Sequence, residues 1–203
     1  MSRTKQTKQE VDSTKDKIIV IAESLFLKFN YLSVTMDDIA GMLHISKPAL
    51  YYHFKNKEDL FIEMAKDVFK DFSGALNEAI TNDMPLEKKF KEVLRTYISF
   101  SLSKRDLAKL MIQKFSKKDN KIIKLMHRFK QAIIDQVDPL IKEIMLLKKF
   151  DKKIDSKLIT LFLIGALNTL VTSEITIESN NWNADQISDQ LTSMIFSDNK
   201  LKT

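Results

Sequence analysis

The sequence predicts an all-α protein, and three observations carry that reading. Glycine and proline number only three each in 203 residues, far fewer than a fold of strands and hairpins needs for its turns. Apolar residues recur at spacings of three and four along most of the chain. Helix-start residues (Ser, Thr, Asn or Asp, with an acid three positions on) stand in front of several of those stretches.

The elements follow in order. Residues 1–12 are polar and are expected to form a frayed arm. Ser13 and Asp16 open the first helix as S-x-x-D, and Ile18, Ala22, Leu25, Phe26 and Phe29 supply its apolar face, which predicts a helix from Thr14 to Phe29. Asn30 follows at the C-cap, where a residue that tolerates the left-handed conformation belongs. Thr35 and Asp38 start a short second helix with Ile39, Ala40 and Leu43 inward, ending by Leu43-His44-Ile45-Ser46. Ser46 caps a third helix, with Pro48 in its first turn. Leu50 and Phe54, four apart, face inward. Asn56, with Asp59, starts a fourth helix that reaches about Ala79. Pro85 starts a fifth that ends near Leu102, and another is expected from about Asp106 to Phe115. The next begins near Lys118 and meets Pro139, where the lost N–H and the ring clash predict a kink or a restart with Asp138 as a new cap. Two more are expected, Ser156 to Glu178 and Ala184 to Phe196, around the sequence Ser-Asn-Asn-Trp-Asn.

Composition excludes several classes of function. There is no cysteine, so disulfides, thiolate metal sites and thiol nucleophiles are out, and a reducing, cytoplasmic setting fits. His44, His53 and His127 are the three histidines. None is spaced with a second ligand, so no metal or other cofactor is expected. No G-x-S-x-G elbow and no glycine-rich phosphate loop is present, so no enzyme activity is expected. The N-terminus lacks an apolar segment, so no secretory leader is expected. The most apolar stretch, Leu158 to Val171, is too short to span a bilayer and reads as a buried helix. The net charge of +6 permits an anionic partner such as nucleic acid.

The stretch Ser46 to Leu60, SKPALYYHFKNKEDL, is the most informative. A helix of barely two turns is unstable alone and must be held by its neighbours through Leu50 and Phe54. Its other face is then free, and it carries Lys47, Tyr51, Tyr52 and His53. Helix, short turn, helix with an aromatic and basic outer face fits a helix-turn-helix, whose second helix enters the major groove of DNA. Lysines at the edges suit phosphates, while tyrosine and histidine suit phosphate, sugar or thymine methyl groups.

These residues also carry a resemblance. YLSVTMDDIAGMLHISKPALYYHFKNKEDLF resembles the DNA-binding segment of the TetR/AcrR (tetracycline-repressor) family in Thr35, Ile39-Ala40, Ile45-Ser46, Leu50 to Phe54 and Lys57 to Leu60. The chain departs from the family at Asn30, His44 and Pro48, where glycine is frequent. The resemblance implies a helix-turn-helix domain over residues 13–74 and a helical effector-binding and dimerisation domain over 75–203. It implies DNA contacts from Thr35, Ser46, Lys47, Pro48, Ala49, Tyr51, Tyr52, His53, Lys55 and Lys57, with Lys57 on a phosphate and Lys47, Pro48 and Tyr52 setting base preference. The central helices would line an effector site with Phe100, Met111, Phe115, Met126 and Phe129, and with the polar groups Arg95, Gln113, His127 and Asn168. The last two helices would pair with those of a second copy through Leu161, Gly165, Ala166 and position 169 (Thr169), and through Ile187, Leu191, Met194 and Ile195.

The expected function is thus a homodimeric, ligand-responsive transcriptional regulator of the repressor type. It would sit on a near-palindromic double-stranded operator until a small apolar or amphipathic effector releases it. The alternative is a helix-turn-helix protein without a small-molecule effector, controlled by a protein partner.

Overall fold

The computed structural model describes residues 14–107, 120–172 and 182–197. Its helices are α1 (Thr14–Phe29), α2 (Met36–Met42), α3 (Lys47–His53), α4 (Lys57–Thr81), α5 (Leu86–Ser103), α6 (Asn120–Leu147), α7 (Ser156–Thr172) and α8 (Ala184–Phe196). The all-α expectation holds, and no strand occurs among the described residues. No helix among them is long and apolar enough to cross a membrane. The expected segment Asp106 to Phe115, the end of the helix expected to reach Glu178, and Met111, Gln113 and Phe115 lie wholly or partly outside the described residues.

The chain divides into two compact units, one up to Val68 and one from Phe69. The division falls earlier in α4 than the expected position 74, because Phe69 and Phe72 already pack in the second unit. Phe69 stacks on Phe129 with ring centroids 4.0 Å apart, and Phe72 meets Tyr97 at 5.4 Å and Phe100 at 4.7 Å.

In the first unit, α1 offers Ile18, Ile19, Ala22, Leu25 and Phe26 to the core. An aromatic cluster closes it, with Phe26, Tyr31 and Phe61 in mutual contact at 5.1–6.1 Å between centroids. The salt bridge from Lys15 to Glu63, at 2.9 Å, ties α1 to α4. The turns rest on left-handed residues. Asn30 has φ 71°, as expected at the end of α1, and His44 has φ 53°. At His44, the N–H of Ile45 donates to Ala40 O and that of His44 to Gly41 O, the paired bonds of a Schellman cap. His44 therefore occupies a position that glycine fills without strain.

The core of the second unit draws on Leu76, Phe90, Leu94, Ile98, Ile134, Leu140, Ile141, Leu167 and Ile187 among others. Two expectations change here. Helix α6 runs through Pro139 without a restart. Pro139 is exposed, so the carbonyl it leaves without a partner lies on the watered side while Val137, Leu140 and Ile141 hold the buried side. Asp138 is not a cap: it is buried, pairs with Lys142 at 2.9 Å and accepts from Thr160 Oγ1 at 3.4 Å. Burial pushes its carboxyl upward, but the bonds from Lys142 and Ser156 outweigh this and hold it below the usual range. On α8, Ile187 is buried in the core of the chain's own second unit, and Leu191 and Ile195 pack half-buried against it, as α8 runs along α5. Of the α8 residues expected to pair with a second copy, Met194 is the exposed one.

Helix α6 ends as α2 does. Lys149 has φ 55°, and the N–H groups of Phe150 and Lys149 donate to Met145 O and Leu146 O. An L-residue held in this conformation costs about 1–2 kcal/mol, which glycine avoids. Lys149→Gly is therefore expected to raise stability by about 0.5–1 kcal/mol, after the entropy that glycine loses on folding is subtracted; chemical denaturation of the two proteins measures it.

Candidate nucleic-acid interface

Seven residues of α3 are too few to be helical alone, and their place is set by two side chains. Leu50 and Phe54 are fully buried in the first unit, each contributing about 2 kcal/mol of burial. Ser46 caps the helix, its Oγ accepting from Ala49 N–H at 3.3 Å. Pro48 in the first turn costs no hydrogen bond.

With that side fixed, the opposite one projects outward. Tyr52 is 87% exposed and Tyr51 43% exposed, while Lys47, Pro48 and Lys55 are exposed as well. Both tyrosine rings thus lie outside the core. His53 is half-buried, its ring edge-on to Tyr52 at 5.3 Å. Ala49 is half-buried. The Lys47 ammonium meets the Asp37 carboxylate of α2 at 2.9 Å, both groups being well exposed, and that hydrogen bond raises the lysine above its usual pKa. An exposed pair of this kind is weak, so Lys47 can exchange Asp37 for a phosphate.

Thr35 starts α2 with a complete capping box. Its Oγ1 accepts from Asp38 N–H at 3.1 Å, and its own N–H and Oγ1–H donate to Asp38 Oδ2 at 2.7 Å each. Two orphan donors of the helix end are thereby satisfied.

Lys57 departs from expectation. Its ammonium does not project from the surface but donates to Tyr31 O and Val34 O, at 2.7 Å each. Burial lowers its pKa, against the pull of Asp38. Both bonds go to the protein's own turn between α1 and α2. Nothing in the residue pattern signals this, because the partners are backbone carbonyls more than twenty positions away.

The residues expected around an effector are only partly brought together. Phe100 stacks on Phe72, Phe129 stacks on Phe69, and Tyr97 donates from its hydroxyl to Asn168 Oδ1 at 2.8 Å. Tyr97 was missed by sequence reasoning; it is buried, and burial pushes its phenol up to about 12. Arg95 does not join this group. It pairs with Glu92 and lies 4.0 Å from Asp185, at the edge where α5 and α8 meet. Met126 and His127 are exposed, because the buried stripe of α6 passes through Ile122, Ile133, Ile134 and Val137 instead.

A short helix anchored from below, capped at its start and aromatic and basic on its free side, defines the class: an all-helical protein of the helix-turn-helix type. Residues 18–64 match the family of bacterial regulatory proteins, tetR family. It is 48% identical over 50 residues to the HTH-type transcriptional regulator QacR of Staphylococcus aureus (strain Mu50), a stretch that is 25% of this chain and 27% of QacR. It is 41% identical over 58 residues to the biofilm operon icaADBC negative transcriptional regulator IcaR of Staphylococcus epidermidis, covering 29% and 31% of the two chains. The chain thus spans less than a third of either relative. The fold as a whole is similar to that of the transcriptional regulator FadR of Bacillus subtilis, whose structure is a complex with stearoyl-CoA: the TM-score is 0.72 at 18% identity, over 89% of this chain and 97% of FadR.

Acid should weaken the first unit through Asp38. The hydrogen bonds from the Thr35 side chain and backbone hold its carboxyl below the ordinary aspartate value of 3.8. A carboxyl lowered by folding stabilises above its unfolded value, and that contribution disappears as pH falls through the folded value. Asp38→Asn is expected to lower stability at neutral pH and to flatten the loss below about pH 4; thermal melts between pH 2 and 7 check both.

Proposed function

We propose that this chain is a homodimeric, DNA-binding transcriptional repressor that binds a near-palindromic operator and is released by an apolar or amphipathic small molecule. The observation that carries the reading is Tyr52, 87% exposed on a two-turn helix whose other side is anchored by Leu50 and Phe54. A large ring held out by rigid packing costs solvation unless something covers it, and the width of the major groove admits such a helix. Thr35, Ser46, Lys47, Pro48, Ala49, Tyr51, Tyr52, His53 and Lys55 are the proposed contact surface. In a dimer two copies would stand about 34–36 Å apart, or a multiple of that, to meet successive major grooves on one face of the duplex.

Pairing is supported by one face of α7. Leu158 and Phe162 are 64% and 76% exposed, and Leu161 is also exposed. Gly165, Ala166 and Thr169 continue that exposed side, and a methyl group added at Gly165 would meet nothing within 4 Å. A large apolar strip next to small residues invites close approach of a second helix, and the symmetric solution is a second copy of the same strip. Met194 of α8 adds to the exposed apolar surface.

An apolar or amphipathic effector is supported by the stacked aromatic rings of the second unit, Phe69 on Phe129 and Phe72 on Phe100, with the Tyr97–Asn168 bond as a nearby polar group. The same fold holds stearoyl-CoA in FadR, which makes long-chain acyl thioesters the first class to try. Binding to a selected duplex with and without stearoyl-CoA is the measurement that checks it.

Two outcomes are expected. Duplexes selected from a random pool by the wild-type chain should share inverted half-sites, and Tyr52→Ala should weaken binding to them by tenfold or more with an unchanged melting temperature; equal binding by Tyr52→Ala would remove α3 as the reader. Phe162→Glu should convert the dimer to monomer in analytical ultracentrifugation, and a variant that sediments as the wild type does would exclude this face.

A further inference from the structure

Lys57 is the first residue of α4, a position where the helix dipole favours an acid and disfavours a cation. Its two neighbours, Glu58 and Asp59, conform to that rule. An exposed lysine at such a place would be a poor choice for stability. This one is not exposed. The ammonium turns back across the first unit to two backbone carbonyls, Tyr31 O and Val34 O, at 2.7 Å each. It also stands 4.5 Å from the centroid of the Tyr31 ring, in cation–π range.

The two carbonyls belong to the turn between α1 and α2, which begins at the left-handed Asn30. Tyr31 and Val34 are buried, and Tyr31 lies within the Phe26 and Phe61 cluster. Val34 immediately precedes Thr35, the cap of α2. A short, charge-assisted bond to Val34 O therefore fixes the peptide from which the capping box starts. Removing the ammonium would leave Tyr31 O and Val34 O without this partner in a half-buried place, a costly state for a carbonyl.

We propose that Lys57 is a positioning residue: by clamping the α1–α2 turn to the start of α4 it sets where Thr35 and the Ser46–His53 segment stand, and so which bases are read, without itself neutralising a phosphate. The inference rests on the DNA-binding reading above. Two of the three ammonium donors are committed to the turn, and the same bonds hold the cation among backbone and aromatic groups. The exposed lysine at the α3–α4 turn, Lys55, is the natural phosphate ligand of this neighbourhood.

The test has two arms. In the first, the duplex selected by the wild-type chain and a scrambled duplex are titrated against NaCl with wild type, Lys57→Met, Lys57→Arg and Lys55→Ala. Lys57→Met is expected to lose affinity for the selected duplex by tenfold or more, to change by less than about threefold on the scrambled one, and to keep the salt slope of the scrambled complex. Lys55→Ala is expected to flatten that slope by about one unit, as loss of one phosphate contact does. Lys57→Arg retains the charge, but its planar fork does not place one nitrogen between two carbonyls, so it too should lose preference for the selected duplex. A flattened slope in Lys57→Met with preference retained, or full preference in Lys57→Arg, would overturn the proposal.

The second arm uses the wild-type protein without DNA and needs no variant. Nitrogen-15 spectra of the lysine ammonium groups should show Lys57 protected from solvent exchange, with couplings across its hydrogen bonds to Tyr31 and Val34. An ammonium that exchanges as fast as that of Lys55 would overturn it. If the wild-type chain selects no duplex, the DNA-binding reading fails while this arm still decides whether the clamp exists.

Discussion

The reading surface depends on the burial of Leu50 and Phe54. Helix α3 has seven residues, and so short a helix has no stability of its own. Its two inward side chains, both completely buried, join it to a unit that already holds α1, α2 and the start of α4. The direction of every outward residue on α3 follows from that anchoring. Tyr51 and Tyr52 are displayed because Leu50 and Phe54 are not.

A second layer of constraint fixes the backbone on either side of α3. Both turns that lead to it pass through left-handed residues, Asn30 and His44. The ends of the helices are closed by side chains: Thr35 with Asp38, Ser46 with Ala49, and Asn56 with Asp59 at 2.8 Å. Polar groups that a helix end would otherwise leave to water are satisfied within the unit. The result is a rigid frame that projects tyrosine and lysine side chains, which is what recognition of a duplex requires of a binding site.

The second unit is built differently. Its core is assembled from α5 through α8 and the second half of α4, with polar contacts such as Tyr97 with Asn168 and Gln136 with Ser73 set among the apolar side chains. Apolar surface remains on the outside of α7. Among the described residues, α3 thus exposes a polar and aromatic surface and α7 an apolar one, and the proposed partners, a nucleic acid and a second copy, differ in kind accordingly.

The sequence by itself determined most of the described helices, the caps at Thr35, Ser46 and Asn56, and the exposed side of α3. Spacings of three and four placed α1, α5 and α8 almost to the residue, and Thr35, Ser46 and Asn56 marked their helix starts because a cap is a local bargain between one side chain and the next turn. The motif from Tyr31 to Phe61 was legible for the same reason: its residues are contiguous. What the sequence could not disclose depends on partners far along the chain. Periodicity showed that Ile187, Leu191 and Ile195 form a stripe, but not that α5 of the same chain covers it. It marked Pro139 as a breaker, but the buried side of α6 holds that helix together. It gave Lys57 a charge, and charge alone suggested phosphate; only folding brought the carbonyls of Tyr31 and Val34 to its ammonium. A side chain's type is local, whereas its burial and its partner are decided by which distant segment packs against it.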